Sequence, residues 1–278
     1  LASLVESSLL RADTTGDQAR FSMLETVREF ALEQLEATAN AAQVRDRHLA
    51  YYASVAERLN LFDELVPATL ERHRQVDVEL SNFRDALRWA MLRQPNHALR
   101  LACDLWPYWN FRGLLREGLE WLLTALDASR DPPKVLLARA LLGAGTLASN
   151  RDETERSMSL LRQCLQLHED AGHTLYSLDD VAFIHRHLGF GAYLERDIPT
   201  ALTHSFECLE IGRELDDPTP IGGALGNLAS IALLRGDLAG AADYSTEGLA
   251  IANAIESNSG RYVHLRRLVS LAVRDGDL

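Results

Sequence analysis

The chain holds 278 residues, 47% of them hydrophobic, which is enough apolar material for one large core or two ordinary ones and excludes a disordered segment. A formal net charge of -12 leaves no basic stripe of the kind that neutralises phosphates, so nucleic acid is not an expected partner. No apolar run nears the roughly 18 residues of a membrane span, and Cys103, Cys164 and Cys208, widely spaced and with no secretory leader, read as buried thiols in a reducing cytoplasm.

Leu9 and Leu10 stand before, and Phe21 and Met23 after, the turn formers "TTGDQ" of residues 14–18, which predicts a β-hairpin. Ser22 stands three residues before Glu25, the spacing at which a hydroxyl and a carboxylate cap each other's free backbone N–H groups. Beyond it Leu24, Val27, Ala31 and Leu35 recur at helical spacing. Residues 41–62 predict a second helix with Val44, His48, Tyr51, Tyr52, Val55 and Leu59 on one face. Between Pro67 and Arg93 the pattern continues through Leu70, Val76, Leu80, Phe83, Leu87 and Trp89, and Pro95 ends it.

From there the chain repeats. Leu188, Asp197, Ala201 and Leu209 correspond to Leu228, Asp237, Ala241 and Leu249, and Gly145, Glu153, Ser157 and Leu165 align in the same register. An earlier copy sets Leu105, Gly113, Gly118 and Leu126 opposite Leu228, Gly236, Ala241 and Leu249, and a last one, in which Leu268, Gly276 and Asp277 match Leu228, Gly236 and Asp237, stops there. Each copy is an apolar helix, a Gly/Asp turn and a second helix with a small residue four positions past the turn, where a larger side chain would wedge the helices apart. Leu1 is not a methionine and "RDGDL" ends inside a copy, so a piece of a longer protein is expected.

Asn227, Leu228, Gly236, Asp237, Ala241 and Leu249 resemble the tetratricopeptide repeat, with units longer than its usual 34 residues and with Arg196 where the turn glycine would stand. Over the whole chain, "RFSMLETVREFALEQLEA", "VRDRHLAYYASVAE" and "ELSNFRDALRWAM" in that order resemble the C-terminal part of bacterial regulators that join a signal-transduction (STAND) ATPase to a tetratricopeptide array and a DNA-binding output domain. The resemblance implies an all-α superhelical array of tetratricopeptide-like hairpins with a helical adaptor and a short N-terminal β-hairpin. Its divisions are a winged-helix remnant over 1–23, the adaptor over 24–95 and the repeats over 96–278. It also implies a cytoplasmic sensor arm that binds an inducer or a partner protein or peptide and acts on an ATPase module preceding Leu1. A scaffold that mediates assembly and senses nothing is the alternative.

No GxxxxGK[ST] loop occurs, and Lys134 is the only lysine, so the chain carries no phosphate loop of its own. No nucleophile elbow supports a Ser/His/Asp or Cys/His reading, and no catalytic residue and no cofactor are assigned. His185 and His187 are two apart and face different sides of a helix, so with His204 and Glu195 they do not make a metal site. The first helix of each copy is expected to line a groove. With Leu188, Gly189 and Ala192 in the core, the groove stripe holds Phe183, Arg186, Phe190 and Tyr193. The same register selects Arg100, Cys103 and Asn110, then Arg139, Thr146 and Ser149, and finally Val263, Arg266 and Ser270. Four arginines on one surface of an acidic protein point to an anionic ligand. Pro107 is expected to bend the first of these helices.

Overall fold

The computed structural model describes residues 2–13, 20–61 and 66–275. A short helix α1 (Ala2–Glu6) precedes two strands, β1 (Arg11–Asp13) and β2 (Arg20–Ser22), paired antiparallel with Arg11 opposite Ser22 and Ala12 opposite Phe21. The predicted hairpin is thus present as a strand pair, and its turn formers lie outside the described residues. Helix α2 (Glu25–Glu36) follows at once, but the predicted Ser22–Glu25 capping box does not form. Ser22 is spent as the last residue of β2, Leu24 occupies the N-cap without a side-chain bond, and Arg28 takes the Glu25 carboxylate at 2.6 Å.

Helices α3 (Ala41–Leu59) and α4 (Val66–Arg93) form the adaptor, with Leu49, Ala56, Val76, Phe83 and Leu87 buried between them and their neighbours. Helix α3 stops three residues short of the predicted 62, because Asn60 turns into the left-handed region at φ 41°. Tyr51 and Leu70, expected on the buried face, are exposed, whereas Tyr52 is half-buried and donates its hydroxyl to Glu79 at 2.9 Å. Gln94 separates α4 from α5 (Pro95–Phe111). Pro95 opens the new helix in its first turn, where its missing N–H has no partner to lose.

The repeats follow as paired helices: α5 with α6 (Leu115–Ala128), α7 (Lys134–Ser149) with α8 (Thr154–Asp170), α9 (Leu178–Leu194) with α10 (Ile198–Glu214), and α11 (Pro218–Arg235) with α12 (Leu238–Ala254). A final helix α13 (Asn258–Asp275) packs on α12; Gly276 and Asp277, which complete the sequence match, lie outside the described residues. Each helix packs on the next, and α5 also meets α7, α9 meets α11, and α11 meets α13. This is the predicted all-α array of tetratricopeptide-like hairpins. The main apolar core runs from Leu49 in α3 through Trp109 and Leu161 to Ile231 in α11, joining the adaptor to the repeats, and smaller clusters around Leu225 and Leu271 continue it through the last helices.

Small residues set the spacing. A Cβ added at Gly118, Gly145 or Gly189 would come within 2.8 Å of Trp109, Leu161 or Ser205 on the paired helix, so the first three hairpins close around a missing side chain. Ala201 and Ala241 are fully buried at the matching positions of the second helices. The turn inside each hairpin needs one residue in the left-handed region. Gly113 and Gly236 supply it at φ 69° and 77°, but Asp152 and Arg196 adopt it at 60° and 61° without being glycine. Asp197 and Asp237, which matched in sequence, are the N-caps of α10 and α12, accepting from the Thr200 and Gly240 amides at 3.3 and 2.9 Å. Helix α5 runs on through Pro107 to Phe111. The three thiols are buried, and burial pushes Cys103 and Cys164 up to about 12 and Cys208 up to about 11.

Candidate functional site

Helix α11 carries glycine at 222, 223 and 226, all inside the helix, where each costs about 1 kcal/mol against alanine. Close packing accounts for Gly223, where an added Cβ would overlap Arg186, while at Gly222 and Gly226 it would make only ordinary contacts. A cavity of about 410 Å³ lies against these three positions, walled by α9 on one side and α13 on the other, with the end of α12 behind it. Helix α9 contributes Arg186, His187 and Phe190, and α13 contributes Val263, His264 and Arg267. Ile251 and Ala252 of α12, with Ile255 at its C-cap, make an apolar patch.

The helix carrying Arg186 is positioned by a capping box at its start. Ser177 accepts from the Asp180 amide at 3.2 Å while the Asp180 carboxylate accepts from the Ser177 amide at 3.1 Å. Arg186 then lies flat on α11, its Cδ where a Cβ of residue 223 would otherwise be. Its carbonyl accepts from Asn227 at 2.9 Å, its guanidinium sits 5.3 Å from the Phe183 ring, and Nη2 meets His187 Nε2 at 3.1 Å. His187 Nδ1 is bonded to Ser149 at 2.8 Å. On the facing helix, Arg267 donates from Nη2 to Ser230 at 2.6 Å, and Ser230 donates in turn to the Gly226 carbonyl at 2.9 Å. Arg267 Nη1 and His264 Nδ1 are buried without a hydrogen-bond partner.

The charge balance at this cavity is unusual for an acidic protein. Among the described residues, Arg186 and Arg267 make no ion pair and no carboxylate lines the cavity. Burial lowers the affinity of both guanidiniums for their protons, yet arginine is basic enough to stay charged. Burial, reinforced by Arg186, holds His187 down at about 3, and burial with Arg267 holds His264 below the ordinary histidine value. Both imidazoles are therefore neutral at physiological pH, and each can donate from one ring nitrogen.

The residues singled out from the sequence are only partly brought together. Arg186 and Phe190 line the cavity, with Phe183 and Tyr193 packed against them; Phe190 and Tyr193 lie 6.2 Å apart between ring centres. Arg100 and Arg139 meet in a second, smaller cavity, but carboxylates neutralise them: Glu57 lies 3.6 Å from Arg100 and Asp104 3.1 Å from Arg139. Asn110 accepts from Asn150 at 2.7 Å, tying α5 to the end of α7. Arg266 is exposed and does not line the cavity. Its neighbour Arg267 takes the place, because the stripe from Val263 advances by four residues rather than three. Cys103 and Thr146, assigned to the groove stripe, are buried. His185 and His187 do face different sides: His185 meets His204 with Nδ1 atoms 3.1 Å apart, while His187 faces Arg186.

No family model matches the chain. Over 136 residues it is 39% identical to proteins named, provisionally, as HTH-type transcriptional regulators in Mycobacterium bovis and in Mycobacterium tuberculosis; the match covers 47% of this chain and 14% of each relative. The chain therefore spans about one seventh of the length of the curated relatives it matches. Among solved structures, the apo form of RapI superposes with a TM-score of 0.54 at 14% identity, covering 81% of this chain and 84% of that one. BtubC from P. vanneervenii gives 0.53 at 15% identity over 84% and 85%. A signal-transduction ATPase with a tetratricopeptide repeat sensor from Pyrococcus horikoshii gives 0.51 at 14% identity, covering 98% of this chain and 42% of that one. The structural likenesses establish a tetratricopeptide-like helical-repeat fold, and the sequence likeness covers nearly half of the chain and a small part of those provisionally named proteins.

Proposed function

We propose that this chain is the cytoplasmic regulatory arm of a larger transcriptional regulator, taking an inducer or a partner into the cavity beside α11 and passing its presence to an attached ATPase module. The observation that carries the reading is the cavity itself: two half-buried arginines without a carboxylate among the described residues, on the two helices α9 and α13, around a floor of glycine. The named regulators that share sequence with the chain, and the ATPase that shares its fold, support the wider setting. Coupling requires only that the bound molecule prefer one arrangement of arm and module, since a ligand of equal affinity for both shifts nothing. Catalysis has no part in it.

The test is made on the native full-length protein that contains this chain. Nucleotide hydrolysis and binding to its own promoter DNA are compared between the unaltered protein and Arg267→Gln. An altered output with an intact fold supports a sensing arm. A full-length protein without a nucleotide-binding module, or an output indifferent to the substitution, rejects it.

A non-sensing scaffold is the second reading, favoured by an exposed apolar row on α13: Tyr262, Leu265, Val269 and Val273. Polar substitutions along that row would abolish partner capture under the scaffold reading and leave the cavity untouched.

A further inference from the structure

The cavity holding Arg100 and Arg139 is already neutralised by Glu57 and Asp104, so it needs no ligand. The His185–His204 pair brings two imidazoles together, but no third metal-ligating side chain joins them among the described residues. The cavity beside α11 differs from both, because its charge is left over.

Two features define what fits. First, taking a cation partly out of water is costly unless an anion compensates it, and here the two half-buried guanidiniums have a neutral hydroxyl, an imidazole and an aromatic ring as partners. Arg267 Nη1 and His264 Nδ1, buried and unbonded, sit beside the cavity: a Cβ at Gly226 would stand 3.7 Å from that Nη1 and 3.8 Å from the imidazole Cε1. Second, the floor is open rather than filled. Around Gly222 the nearest atom to an added Cβ is Ile251 Cγ2 at 3.7 Å, an ordinary contact. At Gly223 and Gly248 an added Cβ would instead overlap Arg186 and His264. Those two glycines seat the polar side chains, and the other two leave room for something else.

We infer that the cavity binds a small organic acid with two negative charges, its acidic groups meeting Arg267 with His264 and Arg186, and its apolar body lying on the glycine floor against Ile251 and Ile255. A volume near 410 Å³ is at the lower end of small-molecule sites and far below what an extended peptide occupies. Two charges match two guanidiniums, and the apolar patch of α12 rewards a hydrocarbon body over inorganic phosphate. A guanidinium and a carboxylate form two parallel hydrogen bonds, so Arg267 both attracts and orients the head group.

This deepens the sensor reading by naming its ligand class, and its test reads binding by the 278-residue chain alone, without reference to transcription. Phthalate is the probe, with benzoate, dimethyl phthalate and inorganic phosphate as comparisons at constant ionic strength. Calorimetric titration and thermal unfolding should both register phthalate, with benzoate weaker and the uncharged ester silent. Arg267→Gln should weaken phthalate at least about tenfold, the worth of a charge-assisted hydrogen bond. Gly226→Leu should abolish binding by filling the floor while its circular dichroism stays that of the unaltered chain. Arg213→Gln, which removes an exposed pair with Glu247, should change nothing. Failure of phthalate to bind, equal binding by the ester, or full binding by both cavity variants overturns the proposal, as does capture of an acidic peptide in place of every small acid. Phthalate binding without any effect on the output of the full-length protein would leave this inference standing and remove the sensor reading.

Discussion

Arg186 lies across Gly223, its Cδ filling the space that a Cβ of residue 223 would need, so α9 and α11 meet at this point only because one side chain is absent. Gly222, one residue earlier, has no such neighbour. Gly222→Ala should therefore raise stability by up to about 1 kcal/mol through helix propensity, whereas Gly223→Ala should lower it by about 1 kcal/mol as overpacking outweighs that gain. Urea denaturation of the two variants side by side gives the opposite signs or refutes the contact.

The hairpin turns make a second prediction. Arg196 holds φ at 61° in the position where the next repeat uses Gly236 at 77°. A left-handed residue with a Cβ costs about 1–2 kcal/mol, and glycine's extra unfolded-state freedom returns about half of that, so Arg196→Gly should stabilise by about 0.5–1 kcal/mol. Gly236→Ala should destabilise by about 1 kcal/mol from backbone strain alone, since nothing lies within 4 Å of its added Cβ. Melting temperatures of the two variants should move in opposite directions.

Acid should weaken the fold before the carboxylates titrate. His187 is held at about 3 by burial and then Arg186, and His204 at about 4 by burial and then His185. His48, His185 and His264 are lowered by burial in the same sense. For a group depressed on folding, the unfolded chain binds the proton first. Stability is thus complete above the ordinary histidine value of 6.5 and falls as pH drops from there towards 4. Urea midpoints at pH 7.5, 6 and 5 should decline in that order, and His187→Gln should flatten the slope. A midpoint independent of pH across this range would refute the burial of these rings.

The adaptor is tied to the repeats by a two-pronged pair. Arg84 of α4 donates from Nε and Nη2 to the two carboxylate oxygens of Glu117 on α6, both at 2.6 Å. The side chains are 36% and 24% exposed, which discounts the pair to about 1 kcal/mol. A double-mutant cycle of Arg84→Ala and Glu117→Ala should return a coupling of that size. The adaptor should unfold together with the first repeats, because they share a core that runs from Leu49 to Ile231.

The repeat architecture was legible in sequence because it depends on residues that cannot be exchanged freely. Alanine at 201 and 241 and aspartate at 197 and 237 fix helix contact and helix start, and they recur at a constant interval. The binding stripe was only half legible. Arg186 and Phe190 were placed by counting from Leu188, but the same count chose Arg266 over Arg267, since a step of three and a step of four both fit a helix. Pairing across helices was invisible: nothing in the sequence near Arg139 says that Asp104, 35 residues earlier, will neutralise it. The signal that could have found the cavity was "IGGALG", three glycines within one helix at a cost that only close packing or empty space explains. The capping box misplaced at Ser22 has its true counterpart in "SLDD" at Ser177, where no strand competes for the serine.

The buried thiols bear on how such an arm could be watched at work. A thiol alkylates as its thiolate, and at about 11 to 12 Cys103, Cys164 and Cys208 hold almost none of it at neutral pH, besides being sealed from reagent. Lys134, exposed at the start of α7, is the only lysine. The unaltered chain is therefore chemically quiet: maleimide dyes will mark only cysteines placed deliberately on its surface, and an amine reagent will find one side chain. A donor and an acceptor set on the outer turns of α9 and α13 would report the opening or closing of the cavity between them, without first stripping the core of the sulfur that packs it.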